Sequence, residues 1–283
     1  MRSQGHAEWH EDSLSFTATP IGKLFETVFN FVCDTVTVAE LEARKLHHDF
    51  TELLTRAVQP ALWLLIFGEV LAQIRAIPTG HLSYMDFMTP GILAQSVLFI
   101  AIFYGIGVIW ERDLGILHQM LASPAPRSAL VLGKALSAGE RGLSQAAIVY
   151  LLASLLGVHI NWRMSAIVGV LCIVVLGSAF FSTFSLIVAS IVRTRERFMG
   201  VGQILTMPLF FASNAIYPIS IMPGWLQAIS RVNPLTYEVD ALRGLMVVGG
   251  TSVNGMFLDV AVLVTATAVL VTIAAKLYPK VIV

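Results

Sequence analysis

The sequence predicts an all-α membrane protein: six transmembrane helices, an N-terminal amphipathic helix at the interface, a short helix in a cytoplasmic loop, and two short re-entrant helices on the outer side. Three observations predict it. The 283 residues are 56% hydrophobic and 13% charged, with a mean hydropathy of +0.77; a soluble domain carries about 25% charged residues. Six apolar stretches approach the roughly 20 residues needed to cross a bilayer, at 57–74, 87–110, 142–159, 165–192, 198–218 and 257–277. The cations are distributed unevenly between the connecting segments. The net charge is zero, so no basic surface for nucleic acid is expected.

Residues 1–35 form an N-terminal cytoplasmic tail. Residues 1–20 carry Glu8, Glu11 and Asp12 and no apolar core, so they do not read as a signal peptide. Residues 36–283 form the transmembrane domain. At its start Ala39, Ala43, Leu46, Phe50, Leu53 and Ala57 recur at helical steps on one face. Such a helix suits the cytoplasmic interface and leads into the first span. His47 and His48 are adjacent, about 100° apart on a helix, so they belong to its solvated face rather than to a chelate. Cys33 and Cys172 have no ligand spacing and read as small apolar residues.

Orientation follows from Lys and Arg, which collect in short cytoplasmic loops. With the N-terminus inside, 14 of the 18 Lys and Arg lie inside. Only Arg75, Arg163, Arg231 and Arg243 lie outside. Both termini are therefore expected in the cytoplasm.

Two loops stand out. The cytoplasmic one runs from Glu111, Arg112 and Asp113 through Leu114, Gly115, Leu117 and Leu121 to Pro124 and Pro126. The leucines share a helical face and the prolines stop it. It is either an amphipathic helix at the membrane edge or a solvated connector. The outer loop contains Tyr217-Pro218, Met222-Pro223-Gly224-Trp225, Asn233-Pro234, Tyr237 and Asp240-Ala241-Leu242-Arg243. Pro223 is placed to start one short helix, and Asn233-Pro234 breaks it and starts another. Trp225 and Tyr237 suit the interface. Asp240 and Arg243 can pair at three residues' separation. Two half-inserted helices are tolerable only if they pack on the spans, and they are expected to cap the exit. The four charges Arg231, Glu238, Asp240 and Arg243 cannot face hydrocarbon.

On these residues the chain resembles a known family. The loop ERDLGILHQMLASP is similar to the coupling-helix segment of type-two ABC exporter permeases, and YPISIMPGWLQAISRVNPLTYEVDALRGL is similar to that family's signature before the last span. The resemblance covers about 35–280 and leans toward the daunorubicin-resistance and nodulation-factor exporter permeases. It implies a multi-pass protein of the bacterial plasma membrane that docks on a cytoplasmic ABC ATPase and pairs with a second permease copy amid membrane lipids. It also implies multidrug or lipid/polysaccharide export. By this resemblance Leu114, Leu117 and Leu121 fill a groove on the ATPase, with Glu111, Arg112 and Asp113 at its rim.

No phosphate-binding loop is present: Gly133-Lys134 is followed by Ala135, and Ser128 stands where the first glycine would be. No cofactor is expected in this chain, and ATP with magnesium belongs to the partner. No carboxylate reads as lying deep in a span, which argues against proton coupling, although Glu69 could snorkel or gate near the outer end of the first. Ser178, Ser182, Ser185 and Ala189 share one face and read as close packing rather than catalysis. The span aromatics Phe99, Phe103, Tyr104, Phe180, Phe181, Phe184, Phe210 and Phe211 point to a hydrophobic or amphipathic cargo if they line a path. The alternatives are an ATP-independent secondary transporter or channel, and a membrane enzyme.

Overall fold

The computed structural model describes residues 29–40, 58–74, 77–116, 126–192 and 194–277. Helix α1 covers 29–40, and α2 covers 58–74 with a π-helical stretch at Trp63–Gly68. Then follow α3 (Tyr84–Asp113), α4 (Arg127–Leu155), α5 (Met164–Ile191), α6 (Arg195–Phe211), α7 (Gly224–Val232), α8 (Pro234–Met246) and α9 (Met256–Leu277). Among the described residues α3, α5 and α9 are long and apolar enough to cross a membrane, and α2 is a shorter apolar helix. The interfacial helix expected over 39–57 lies almost wholly outside the described residues.

Local chemistry sets the helix ends. Ser83 caps α3 by accepting from the Asp86 amide at 3.1 Å. Thr194 caps α6 by accepting from the Arg197 amide at 3.4 Å. Helix α6 stops at Phe211 rather than running to 218 as the hydropathy suggested. Ser213 donates to the Phe210 carbonyl at 2.7 Å and accepts from the Ala215 amide at 3.2 Å. A serine that bonds locally competes with the helical ladder.

Helix α5 is central, packed on α3, α4, α8 and α9. Its small-residue face of Ser178, Ser182, Ser185 and Ala189 is buried, as expected for close helix packing. Ser185 Oγ donates to the Ile102 carbonyl and accepts from the Gly105 amide of α3 at 3.1 Å. Bundle helices thus approach backbone to side chain, and Met88, Ile92, Leu93 and Val97 of α3 are buried in the main core further along the helix. The outer faces are the reverse of a soluble protein. Phe257, Leu258, Val264 and Val269 of α9, and Leu65, Ile66, Phe67 and Val70 of α2, are exposed. Apolar surface that extensive requires an apolar surrounding.

The expected third span, 142–159, is the second half of a longer helix. Helix α4 begins at Arg127, so Lys134, Glu140 and Arg141 are helical residues rather than loop charges. Hydropathy hides this because each charge lowers the window average. In space Lys134 is neutralised from another helix.

Candidate functional site

Two polar regions lie at opposite ends of the bundle. The first is the last turn of α3. The chain leaves it through Gly115, whose φ of +75° is costly for any residue with a Cβ. The Gly115 amide donates to the Arg112 carbonyl at 3.0 Å and the Leu114 amide to Trp110 at 2.9 Å. Glu111, Arg112 and Asp113 therefore belong to α3, and each has a partner within the chain. Glu111 is buried and accepts from the Lys134 ammonium of α4 at 2.6 Å. Lys134 has no exposure at all, so this pair is desolvated and held by its geometry. Its ammonium lies 6.0 Å from the centre of the Tyr104 ring, which Arg141 approaches at 5.2 Å. Tyr104 also shares a 3.0 Å hydrogen bond with Ser137. Asp113 is exposed and bridges Arg112 at 3.0 Å and Arg195 of α6 at 2.8 Å.

Of the residues that the resemblance put against an ATPase, Leu114 is 66% exposed and Ile116 beside it is also exposed. Leu117 and Leu121 lie outside the described residues. Glu111 faces the interior, Arg112 is half-buried, and Asp113 is shared with α6.

The second region is the hairpin of α7 and α8. Pro223 occupies the cap position of α7 rather than its first turn, and Trp225 projects outward at 67% exposure. Asn233 makes the elbow. Its side-chain oxygen accepts from the Leu235 amide at 3.1 Å, and its Nδ2 donates to the Leu209 carbonyl of α6 at 2.6 Å. Pro234 follows at the first turn of α8. Tyr237 donates back to the Arg231 carbonyl at 2.6 Å, and Ser230 meets Thr236 at 3.2 Å. Two helices of α7 and α8 length are thereby locked into one unit.

Arg243 anchors this unit to the bundle. It is almost wholly buried, its guanidinium lies 3.9 Å from the centre of the Phe87 ring, and it donates to the carbonyls of Asn214 at 2.7 Å and Phe87 at 3.3 Å. The Asp240 carboxylate lies 4.0 Å from its Nη1. Burial pulls the guanidinium down to about 10, partly offset by Asp240, and it remains charged at neutral pH. The sequence anticipated the Asp240–Arg243 pair. It did not anticipate that backbone carbonyls would take most of the donors.

The sequence places no carboxylate near the middle of a span and leaves Glu238 and Asp240 either at the outer interface or inside the protein; the structure puts both inside. Glu238, Asp240 and Asp259 are all fully buried. Glu238 packs on Gly177, halfway along α5, so closely that a Cβ there would stand 2.2 Å from its Oε1. Among the described residues neither Glu238 oxygen has a hydrogen-bond partner. No local pattern revealed this, since the contact joins residues in different helices. Two glycines on one face of α5, Gly169 and Gly177, meet Leu245 and Glu238 in turn. They were the only available signal.

Half of the eight span aromatics are buried in the bundle, Phe99, Phe103 and Phe184 are half-buried and Phe211 is exposed. Phe181 and Phe210 have almost no exposure, and Tyr104 and Phe180 are buried. An open apolar groove of about 400 Å³ lies between α6 and the hairpin, lined by Ile204, Leu205, Pro208, Leu209, Ile229 and Val232. Cys33 and Cys172 are free and exposed.

Residues 35–247 match the ABC-2 type transporter family. The transport permease ycf38 of Cyanophora paradoxa is 30% identical over 197 residues, covering 68% of this chain and 67% of the relative. The daunorubicin resistance ABC transporter permease protein DrrB1 of Streptomyces coeruleorubidus is 26% identical over 230 residues, covering 81% and 79%. Nodulation protein J of Rhizobium meliloti is 24% identical over 200 residues, covering 69% and 73%. With the apolar outer faces of α2 and α9, these matches make the chain a multi-pass membrane transport protein, and it belongs to the ABC-2 type transporter permease family.

Proposed function

We propose that this chain is the membrane-spanning permease subunit of an ATP-driven exporter that moves a hydrophobic or amphipathic molecule out of the bacterial cytoplasm. The family match over 35–247 carries this reading, because it contains both the Glu111 end and the hairpin. The working unit is two copies of this chain with a cytoplasmic ABC ATPase that holds ATP and magnesium; the chain itself holds no cofactor. Helices α2, α3, α4, α5, α6 and α9 are its six spans, with both termini in the cytoplasm and the hairpin entering from the outer side as a cap. The domain extends from about residue 36 to 283, behind a cytoplasmic tail.

The exposed Leu114 supports docking at the end of α3, continued by Leu117 and Leu121. Closure of the ATPase pair moves this end as a rigid body, since Glu111–Lys134 fixes α3 to α4 and Asp113–Arg195 fixes it to α6. The drug and nodulation relatives support a substrate among drugs, lipids and lipid-linked glycans.

Co-purification with the ATPase encoded beside this chain, followed by ATP-driven transport in vesicles, tests the reading. Stimulation of hydrolysis by candidate lipids and drugs then identifies the cargo. Leu117→Asp is expected to weaken assembly of the complex. Transport by the chain alone, without any ATPase, sinks this reading in favour of a secondary transporter or channel, for which the buried Glu238, Asp240 and Asp259 are the supporting observation.

A further inference from the structure

At the junction of α8, the 247–255 loop and α9, two carboxylates share one hydroxyl. Ser252 Oγ lies 2.7 Å from Asp259 Oδ2 and 3.3 Å from Asp240 Oδ2. It also accepts from the Gly255 amide at 2.8 Å, while the Asn254 amide donates to Asp240 Oδ2 at 2.9 Å. Added together, the two serine contacts put the carboxylate oxygens no more than about 6 Å apart, within the range where like charges interact strongly. Both carboxylates are fully buried, and the Oδ1 atom of each has no hydrogen-bond partner among the described residues.

The hydrogens do not suffice for two ionised acids. A serine hydroxyl carries one proton, and the shorter contact to Asp259 takes it. Asp240 is left with the Asn254 amide, the Asn254 side chain approaches Asp259, and the Oδ1 atom of each acid still lies outside hydrogen-bond reach of any donor among the described residues. Nor does charge balance. Arg243 is 4.0 Å from Asp240 Oδ1, beyond hydrogen-bond reach, and donates to the carbonyls of Phe87 and Asn214. Two carboxylates thus face one guanidinium.

Among the described residues the helices packed on α8 bring no further cation, and Arg163 of the segment that bonds Met246 through Asn161 is exposed. Helix α5 has no ionisable side chain apart from Cys172, which is exposed. On α3, Asp86 is held by the backbone and ring of His159 at 2.9 and 3.2 Å, Tyr84 donates to the Ile216 carbonyl at 3.1 Å, and the remaining charges sit at the far end. The 247–255 loop has none. Helix α9 has only Asp259 and, in its last turn, Lys276. On α8 itself Glu238 faces Gly177, and Tyr237 is bonded to Arg231. A metal ion wants about six oxygen ligands, and two bare carboxylate oxygens with one serine are too few.

We propose that Asp240 and Asp259 bind one exchangeable proton between them, with Ser252 as the bridge, so that the α8–α9 junction is a proton-binding site. Holding the proton supplies the missing hydrogen and removes the surplus charge. Releasing it sets two buried carboxylates against each other across the joint between the hairpin and α9. The site does not depend on which side of the membrane it faces or on the identity of the cargo.

Infrared titration of the full-length chain in lipid nanodiscs tests it, with Glu238→Gln as background so that the other buried acid is silent. The expected result is a protonated-acid carbonyl band at about pH 6, where an ordinary carboxyl is ionised. The band disappears at higher pH, and it is lost in both Asp240→Asn and Asp259→Asn. The asparagine variants also lose the pH dependence that the background shows in its thermal midpoint. Absence of the band, or its survival in both variants, overturns the proposal. So does an Asp259-dependent stabilisation by millimolar sodium or calcium without any acid band, which would make the ligand a metal. If neither asparagine variant folds, Ser252→Ala decides. Loss of its hydrogen bond to the ionised form must move the disappearance of the band to higher pH, and an unmoved band overturns the site.

Discussion

The guanidinium of Arg195 lies 3.4 Å above the ring of Trp110. The same side chain reaches Asp113 at 2.8 Å, so the start of α6 is fastened to the end of α3 by a stacked ring and an ion pair together. Both contacts are partly exposed, and a surface ion pair alone is worth about 0–1 kcal/mol. The stacking adds about 0.5–1 kcal/mol at an exposed site.

Arg195→Ala should therefore leave the chain folded, with a small fall in thermal midpoint, yet let α6 move independently of α3. In vesicles with the ATPase bound, hydrolysis should continue while transport per ATP falls several-fold. Arg195→Lys keeps the charge but loses the planar stack, and it should fall between. Unchanged transport per ATP in Arg195→Ala would show that the fastening plays no part in coupling.

The Glu111–Lys134 pair should behave differently. Removing one partner of a buried pair costs about 3–5 kcal/mol, whereas replacing both with apolar residues of similar volume is often neutral. Lys134→Met should lower the yield of folded chain sharply. The double change Glu111→Gln with Lys134→Met should recover much of it in a thermal melt. A double variant as unstable as the single one would mean that the other neighbours of this pair, Tyr104 and Ser137, need the charge.

Glu238 gives a pH dependence with a definite sign. Burial with no compensating partner holds its carboxyl well above the ordinary range. In the unfolded chain a glutamate titrates near about 4.3. The contribution of Glu238 to stability is therefore complete below that value and is lost as pH rises through the folded value. Wild-type chain in detergent should melt at a lower temperature as pH rises from about 5 to 8, and Glu238→Gln should flatten part of that slope. An identical slope in the variant would mean that Glu238 is ionised in the folded protein.

The proposed direction of insertion is open to a labelling test. Val253 is 79% exposed in the loop between α8 and α9. A cysteine there, with Cys33 and Cys172 replaced, should react with a membrane-impermeant thiol reagent added to intact cells. Reaction only after the cells are opened would reverse the topology.

What was legible in the sequence was whatever a short stretch encodes by itself. Length and hydropathy gave α3, α5 and α9, and Asn233-Pro234 gave the elbow of the hairpin. The serine face of α5 announced close packing. What was hidden depends on partners distant in sequence. Lys134 lowered the apparent hydropathy of α4 because its neutralising carboxylate is 23 residues away on another helix. For Glu238 and Asp240 the sequence leaves open the outer interface or the protein interior, because the surfaces that bury them come from α5, α9 and the loop between, and Asp259 at the start of the last expected span has no local pattern that marks it as buried. The notion that Glu111 faces a partner subunit failed to account for the Lys134 side chain, which no local pattern points toward Glu111.

Gly177 and Glu238 occupy one volume between them. Any side chain at 177 needs the space that the Glu238 carboxyl fills, with the nearest carboxylate atoms 2.2–2.6 Å from where its first carbon would sit. Their histories are therefore tied. A lineage that acquires alanine or serine at 177 must swing the Glu238 carboxyl aside or shorten residue 238, and one that shortens 238 relaxes the demand for glycine at 177. The two positions should substitute together along the branches of this family, and laboratory selection on Gly177→Ala should recover its revertants at residue 238.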